Sequence, residues 1–407
     1  MSANGFGALP GNASEAIKPW KVNIPQQDLD KLITLLKLSE LAPPTFENSR
    51  PGQDRRLGIR RDWLSSAKHY WETEFDWRKH EDHINSFPHF KTPIQDSLGE
   101  FEVHFVALFS ERKDAIPIMF LHGWPGSFLE FLPILDSLRS QYTPQTLPYH
   151  LIVPSLPGYT FSSPPPLDHD FRADDAARIF DSLMSLLGFK SYMVQGGDVG
   201  GRVGRIIASD YPNCKALHLN TCPMSDPEHE EIKSPIDAAE KQGLERHRFF
   251  LHNGTGYAQE HATRPSTIGF VLSSNPLALL SWIGEKFMDW TDDDPSLDVI
   301  LESVTLYWVT RCASTSLWSY RQFYGPNADS HGSKKWHLDM RFGFSWFPKE
   351  INPLPRAWIE TTGNLVFFKR HEKGGHFAAL ERPQELWADV EEYLRSVKDV
   401  FGPDQAE

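Results

Sequence analysis

A chain of 407 residues, 40% of them hydrophobic and 13% aromatic, can bury a sizeable core as one large α/β domain with insertions or as two domains. Its formal net charge is −13, and no block of lysine or arginine supplies the phosphate neutralisation that nucleic-acid binding needs, so nucleic acid is not an expected partner. No run approaches the ~20 apolar residues that cross a bilayer, which leaves a small molecule as the expected partner and no membrane.

Cys214, Cys222 and Cys312 form a sparse, odd set with no metal-ligand or redox spacing, which suits a reducing compartment. The stretch from Met1 to Trp20 lacks a cationic segment followed by an apolar run, so a cytoplasmic location without a signal peptide is expected. The 13 tryptophans and 27 phenylalanines favour wide apolar walls, including those of a substrate pocket.

In chain order, the first elements expected are amphipathic helices over Asp28 to Leu38 and Arg61 to Phe75. They belong to an N-terminal segment, residues 1–99, read as wrapping a core and possessing no catalytic constellation of its own. From Glu100 the pattern changes. Phe101, Val103, Phe105, Ala107 and Phe109 alternate at the two-residue period of a strand, and Ile116 to Leu121 is a second, more buried run. Further strands are expected at His150 to Pro154, Ser191 to Gln195 and Lys215 to Asn220, with helices over Ala173 to Leu187 and Arg202 to Asp210 between them. That alternation predicts an α/β fold with a mostly parallel sheet flanked by helices, its first part spanning residues 100–222.

Over residues 223–341 the rhythm stops, and helices are expected at Ile236 to Leu251, Ala278 to Asp289 and Asp298 to Tyr320. A helical insertion between strands of one sheet reads as a lid. The second part of the core, residues 342–407, is expected to supply strands at Arg356 to Glu360 and Leu365 to Lys369 and a last helix from Pro383 to Val397.

The chemistry concentrates at Tyr192-Met-Val-Gln-Gly196-Gly197-Asp198-Val199-Gly200-Gly201. An apolar strand runs into a glycine-flanked turn, a nucleophile elbow that projects its apex residue from the end of a sheet. The apex is Asp198 and not the usual serine. A carboxylate, with an unperturbed pKa of ~4, is ionised at neutral pH and can displace at an electrophilic carbon to leave an ester. Water attacking the enzyme's own carbonyl then releases product, whereas a serine would form an ether that resists cleavage.

His122-Gly123-Trp124-Pro125-Gly126-Ser127 follows the strand ending at Leu121, where a loop places an N–H beside the elbow. The amides of Trp124 and Val199 are the expected oxyanion hole, and the bond before Pro125 is a candidate cis peptide. His376, in Gly374-Gly375-His376-Phe377 after the last strand, stands where chain order puts the general base. A metal site from His371, Glu372 and His376 is the alternative, but two histidines five apart across a Gly-Gly pair cannot share a helix face. The acid that orients His376 is sought between lid and last strands, where Glu350 is favoured over Asp339. If the electrophile is a strained ring ether, its opening leaves an alkoxide that needs a proton, and a phenol suits this. Tyr257 and Tyr320 in the lid are candidates, with Tyr307 and Tyr324 as rivals.

These residues carry a resemblance. Phe75-Asp-Trp-Arg-Lys, Ile84-Asn-Ser-Phe-Pro-His-Phe, the HGWPGSF loop, the GGDVG elbow, Gly256-Tyr257-Ala-Gln-Glu-His261 and GGHFAALERP together make the chain resemble the microsomal-type epoxide hydrolases, in particular their soluble fungal members. The match covers nearly the whole chain. It implies the α/β-hydrolase fold with a helical lid, and an enzyme that converts an epoxide and water to a vicinal diol without metal or organic cofactor, in detoxification or aromatic-hydrocarbon catabolism. It also implies Asp198 as nucleophile, His376 as base, Glu350 as charge-relay acid, and Tyr257 and Tyr320 as proton donors to the oxirane. Glutamate at 350 agrees with the microsomal enzymes, whereas some fungal relatives carry aspartate. A homodimer through the extended N-terminal segment is a further expectation. The rival reactions are a haloalkane dehalogenase, for which the Trp124 indole would bind halide, and a non-catalytic binding protein on the same scaffold.

Overall fold

The computed structural model describes residues 5–52, 54–228, 232, 234–324 and 328–402. Among these residues nine strands form one sheet: β1 (Lys18–Trp20), β2 (His89–Asp96), β3 (Gly99–Leu108), β4 (Ile116–Leu121), β5 (Tyr149–Pro154), β6 (Tyr192–Gly196), β7 (Cys214–Leu219), β8 (Leu338–Trp346) and β9 (Gly363–Arg370). Their spatial order is β1-β2-β3-β5-β4-β6-β7-β8-β9. β1, β2, β3 and β5 pair antiparallel, and every pair from β5–β4 to β8–β9 is parallel.

The parallel half is covered on both faces, which is why β4 is an unbroken buried run and does not alternate with polar residues. Ile118 and Phe120 pack with Leu135, Leu386 and Val390 from the helices Leu132–Gln141 and Pro383–Ser396. Met119 and Leu121 face the other way, into a core shared with Ile179, Leu183, Val203 and Ile207 from the helices Ala173–Leu186 and Asp198–Asp210.

The expected elements from Glu100 to Asn220 appear within a few residues of their positions, although the helix expected from Arg202 already starts at Asp198. Two expectations fail. Arg356 to Glu360 is not a strand but a short helix, Arg356–Ile359, continued by a 3-10 turn. All of Ala357, Trp358 and Ile359 are buried, and so short an apolar run does not distinguish strand from helical turn. The strand in that part of the sheet is β8, where Leu338, Met340, Phe342, Phe344 and Trp346 keep a two-residue period. The helix expected over Asp298 to Tyr320 ends at Val309, because Arg311 takes a left-handed φ of 59° and the small, hydroxylated residues after it favour turns. Beyond these, the N-terminal segment contributes β1 and β2, so it extends the sheet as well as wrapping it.

Between β7 and β8 the chain forms the helices Ala238–Asn253, Gly256–Thr263, Pro265–Ser274, Pro276–Trp290 and Leu297–Val309 and the single turn Tyr320–Phe323. Pro265 and Pro276 open their helices, where the missing N–H costs nothing, and the Asn275 side chain accepts from the amides of Leu277 and Ala278. The N-terminal segment binds these helices directly. Trp71, 1% exposed, donates its indole N–H to Thr305 Oγ1 at 3.1 Å, and the Tyr70 hydroxyl reaches Asp298 at 3.0 Å. Arg55 donates to the Met288 carbonyl at 2.8 Å. Among the described residues no single helix is long and apolar enough to cross a membrane.

Candidate active site

Four loops at the carboxyl ends of the parallel strands meet beneath the helical insertion. After β6, Gly197 is extended and Asp198 takes φ = 47°, a left-handed backbone that costs a non-glycine residue about 1–3 kcal/mol and is held only where the surroundings enforce it. Gly200 is part of that enforcement. A Cβ there would lie 2.1 Å from the Leu121 carbonyl oxygen, so only glycine lets the helix seat against the end of β4.

The loop after β4 brings the Trp124 amide to Asp198 Oδ1 at 2.8 Å, and the Trp124–Pro125 peptide is cis. Val199 follows Asp198 in the first turn of the helix, where N–H groups lack intrahelical acceptors. The loop after β9 carries His376, whose Nε2 stands 3.6 Å from Asp198 Oδ2. Its Nδ1 lies 2.9 and 3.1 Å from the two carboxylate oxygens of Glu350, on the loop after β8. The two loops are joined by the Lys349 N–H, which donates to the Gly374 carbonyl at 3.0 Å. Glu350, 2% exposed, also accepts from the amides of Ile351 at 2.7 Å and Asn352 at 3.2 Å, which fixes the carboxylate plane that orients the imidazole. Asp339, the rival acid, is exposed at the start of β8, and His371 is bonded to Asp389 at 2.6 Å. No group of three or more His, Cys, Asp and Glu among the described residues is arranged to hold a metal ion.

Burial pulls the His376 imidazole down, but the charges of Glu350 and Asp198 outweigh it and lift it to about 9. The phenols of Tyr257 and Tyr320 are pushed well above their ordinary value, chiefly by burial, with the Asp198 charge adding to it. Both remain protonated donors at neutral pH.

The tyrosines are set by ring packing. Tyr257 stacks on Trp124 with centroids 5.3 Å apart and planes 13° apart, and Tyr320 stands edge-on to both rings at 5.7 and 5.8 Å. His261, one turn after Tyr257, packs at 4.7 Å from both Trp124 and Tyr320 and is held near pKa 3 by burial and the neighbouring Lys286 charge, so it stays neutral. Trp290 packs its ring against Tyr257 and His376 and accepts the His376 amide on its carbonyl at 2.8 Å. Neither His261 nor Trp290 stood out in the sequence as a support of the site, although the spacing of Tyr257 and His261 on one helix face was there to be read. Of the rival tyrosines, Tyr307 donates to the Gly126 carbonyl at 2.8 Å, whereas Tyr324 lines the same cavity as the expected pair. That cavity, about 580 Å³, is bounded by Asp198, Val199, Tyr257, Tyr320, Met224 and Phe323, a size suited to a small organic molecule.

A mostly parallel sheet under helices, a glycine-flanked elbow after β6 with a carboxylate at its apex and the chain order carboxylate, acid, histidine define an α/β hydrolase, and residues 116–344 match the family model described as alpha/beta hydrolase fold. Residues 17–131 match the model for the epoxide hydrolase N terminus. The chain is 44% identical over 393 residues to a Dothistroma septosporum protein named "Putative epoxide hydrolase", covering 96% of this chain and 92% of that one. The solved structure of Aspergillus niger epoxide hydrolase superposes with a TM-score of 0.91 at 51% identity, covering 96% of this chain and 99% of that one. The juvenile hormone epoxide hydrolase of the silkworm Bombyx mori superposes with a TM-score of 0.83 at 26% identity, covering 98% and 100%. The chain belongs to the epoxide hydrolase family, and the enzyme is an epoxide hydrolase of the α/β-hydrolase fold.

Proposed function

We propose that the enzyme converts an epoxide and water to a vicinal diol in two steps through a covalent ester on Asp198. In the first, an Asp198 oxygen displaces the ring oxygen at carbon while Tyr257 and Tyr320 hydrogen-bond that oxygen and deliver a proton to the alkoxide. In the second, His376, held by Glu350, takes a proton from water that attacks the Asp198 carbonyl carbon. The amides of Trp124 and Val199 hold the oxyanion, which collapses to the carboxylate and expels the diol.

The observation that carries this reading is the double engagement of Asp198. One carboxylate oxygen sits on the Trp124 amide, the other faces His376, and the same side chain borders the cavity that the two phenols line. The electrostatics support the order of steps. In the resting enzyme the Asp198 charge helps to keep His376 protonated. Esterification removes that charge, so the imidazole becomes a competent base when there is an ester to hydrolyse. The aromatic walls suit an aryl or alkyl terminal epoxide. A single turnover in 18O-labelled water is the test: the first diol carries unlabelled oxygen from Asp198, and label in the diol at that stage overturns the ester route.

A further inference from the structure

Asp198 separates two cavities. The larger lies under the helical insertion. The smaller, about 20 Å³, lies on the core side and is bounded by Gly123, Trp124, Glu130, Asp198, Asn220 and His376. That volume holds one water molecule, which needs roughly 10–15 Å³ of such space and two to four polar partners. The proposed steps demand a water at this place: close to His376 Nε2, close to the Asp198 carbonyl carbon, and out of the way of the substrate on the other side.

Glu130 is the side chain that the two steps leave unused. It sits on the 3-10 turn Phe128–Phe131, whose neighbours Phe128, Leu129 and Phe131 are all buried in the core, and it is the turn's one polar side chain. Burial raises its carboxyl to about 8, with the Asp198 charge adding and His376 opposing, so at neutral pH it is largely a neutral acid. The Ser127 amide donates to this carboxyl, and the rest of its hydrogen-bonding capacity faces the cavity. Its place is reserved by the loop before it: a Cβ on Gly126 would fall 1.4 Å from Glu130 Oε1. Glycine at 126 is therefore required for Glu130 to reach the small cavity.

We propose that Glu130 holds the hydrolytic water in this cavity, an inference that rests on the ester reading above. The water lies between the Glu130 carboxyl and His376 Nε2, with a lone pair directed at the Asp198 carbonyl carbon. As the new C–O bond forms, one water O–H bond breaks and its proton passes to His376, while the carbonyl π pair moves onto the oxygen held by the Trp124 amide. Collapse breaks the ester C–O bond. The departing diol oxygen takes the proton from His376, Asp198 retains one oxygen from the water, and the water's second proton leaves the Asp198 carboxyl to replace the one the phenol gave up in ring opening. Glu130 neither gains nor loses a proton in the cycle; it fixes the water's position.

Glu130 thus acts on the second step alone, which separates it from a residue that only supports the fold. The experiment follows ester formation and breakdown separately for styrene oxide, by stopped-flow tryptophan fluorescence and by rapid quench with mass measurement of the elbow peptide. Glu130→Leu is expected to form the ester at the wild-type rate and break it down on the order of 10²-fold more slowly, so that kcat and KM fall together and the adduct accumulates. Glu130→Gln, which still hydrogen-bonds water, keeps most of the breakdown rate. Gly126→Ala, which displaces the carboxyl while leaving Glu130 in the chain, reproduces the leucine defect and serves as the deciding variant if Glu130→Leu does not fold. Breakdown at the wild-type rate in Glu130→Leu, or an equal slowing of both steps, overturns the proposal. Should His376→Ala trap no adduct, the ester reading itself has failed; an adduct there with normal breakdown in Glu130→Leu and Gly126→Ala rejects Glu130 alone.

Discussion

The sheet and the helical insertion hold their halves of the site by different means. On the sheet side, directional bonds fix each group: a left-handed backbone at Asp198, the Trp124 amide on its carboxylate, and a glutamate that binds two amides as well as the imidazole. On the other side Tyr257 and Tyr320 are set by contacts among Trp124, His261 and Trp290, which fill space without specifying a bond angle. The difference matches the tolerances of the proposed chemistry. Groups that make and break bonds to carbon lose rate steeply with misplacement, whereas a phenol that delivers a proton to a departing oxygen can be placed less exactingly.

Substitutions test this division. Asp198→Asn, checked for deamidation, is expected to lower kcat by about 10⁴-fold or more, measured as diol formation. His376→Ala comes next, with turnover falling by roughly 10³-fold or more while the ester builds up on the elbow peptide. Tyr257→Phe and Tyr320→Phe each slow ester formation by about 10- to 100-fold, and the pair together by more, with no ester accumulating. Accumulation in either tyrosine variant would break the division, because it would place a lid phenol in the hydrolytic step. A finer test is the titration of His376 by NMR. Removing the Asp198 charge in Asp198→Asn lowers its pKa from about 9, and breakdown of the ester in the wild type slows as pH falls through the lowered value, since only the neutral ring accepts a proton. The smallest effect is expected from Trp71→Phe, which loses the bond to Thr305 and about 1–2 kcal/mol of stability by thermal unfolding, with kcat near that of the wild type.

The same division decides what could be read from the sequence. Asp198, the Trp124 loop and His376 sit in short glycine-rich motifs whose backbone geometry is local, and Glu350 followed from chain order. Tyr257 and Tyr320 could be separated from Tyr307 and Tyr324 only by resemblance, since ring packing across distant helices has no local pattern. Glu130 and Trp290 meet neighbours far apart in the chain and left no motif, and His261, although it closes the Gly256-Tyr257-Ala-Gln-Glu-His261 match, was given no role of its own. Among the elements, β8 was hidden by its place next to the helical insertion although Leu338 to Trp346 alternates cleanly, while the five apolar and charged residues from Arg356 to Glu360 gave a strand-like run too short to test.

The bonds from Trp71, Tyr70 and Arg55 to Thr305, Asp298 and Met288 make the first hundred residues and the insertion a matched pair. Recombination between relatives therefore has a natural grain. A chimera that borrows the insertion to acquire another substrate preference must inherit the donor's N-terminal partners for those positions too, or the graft will rest on a mismatched clamp.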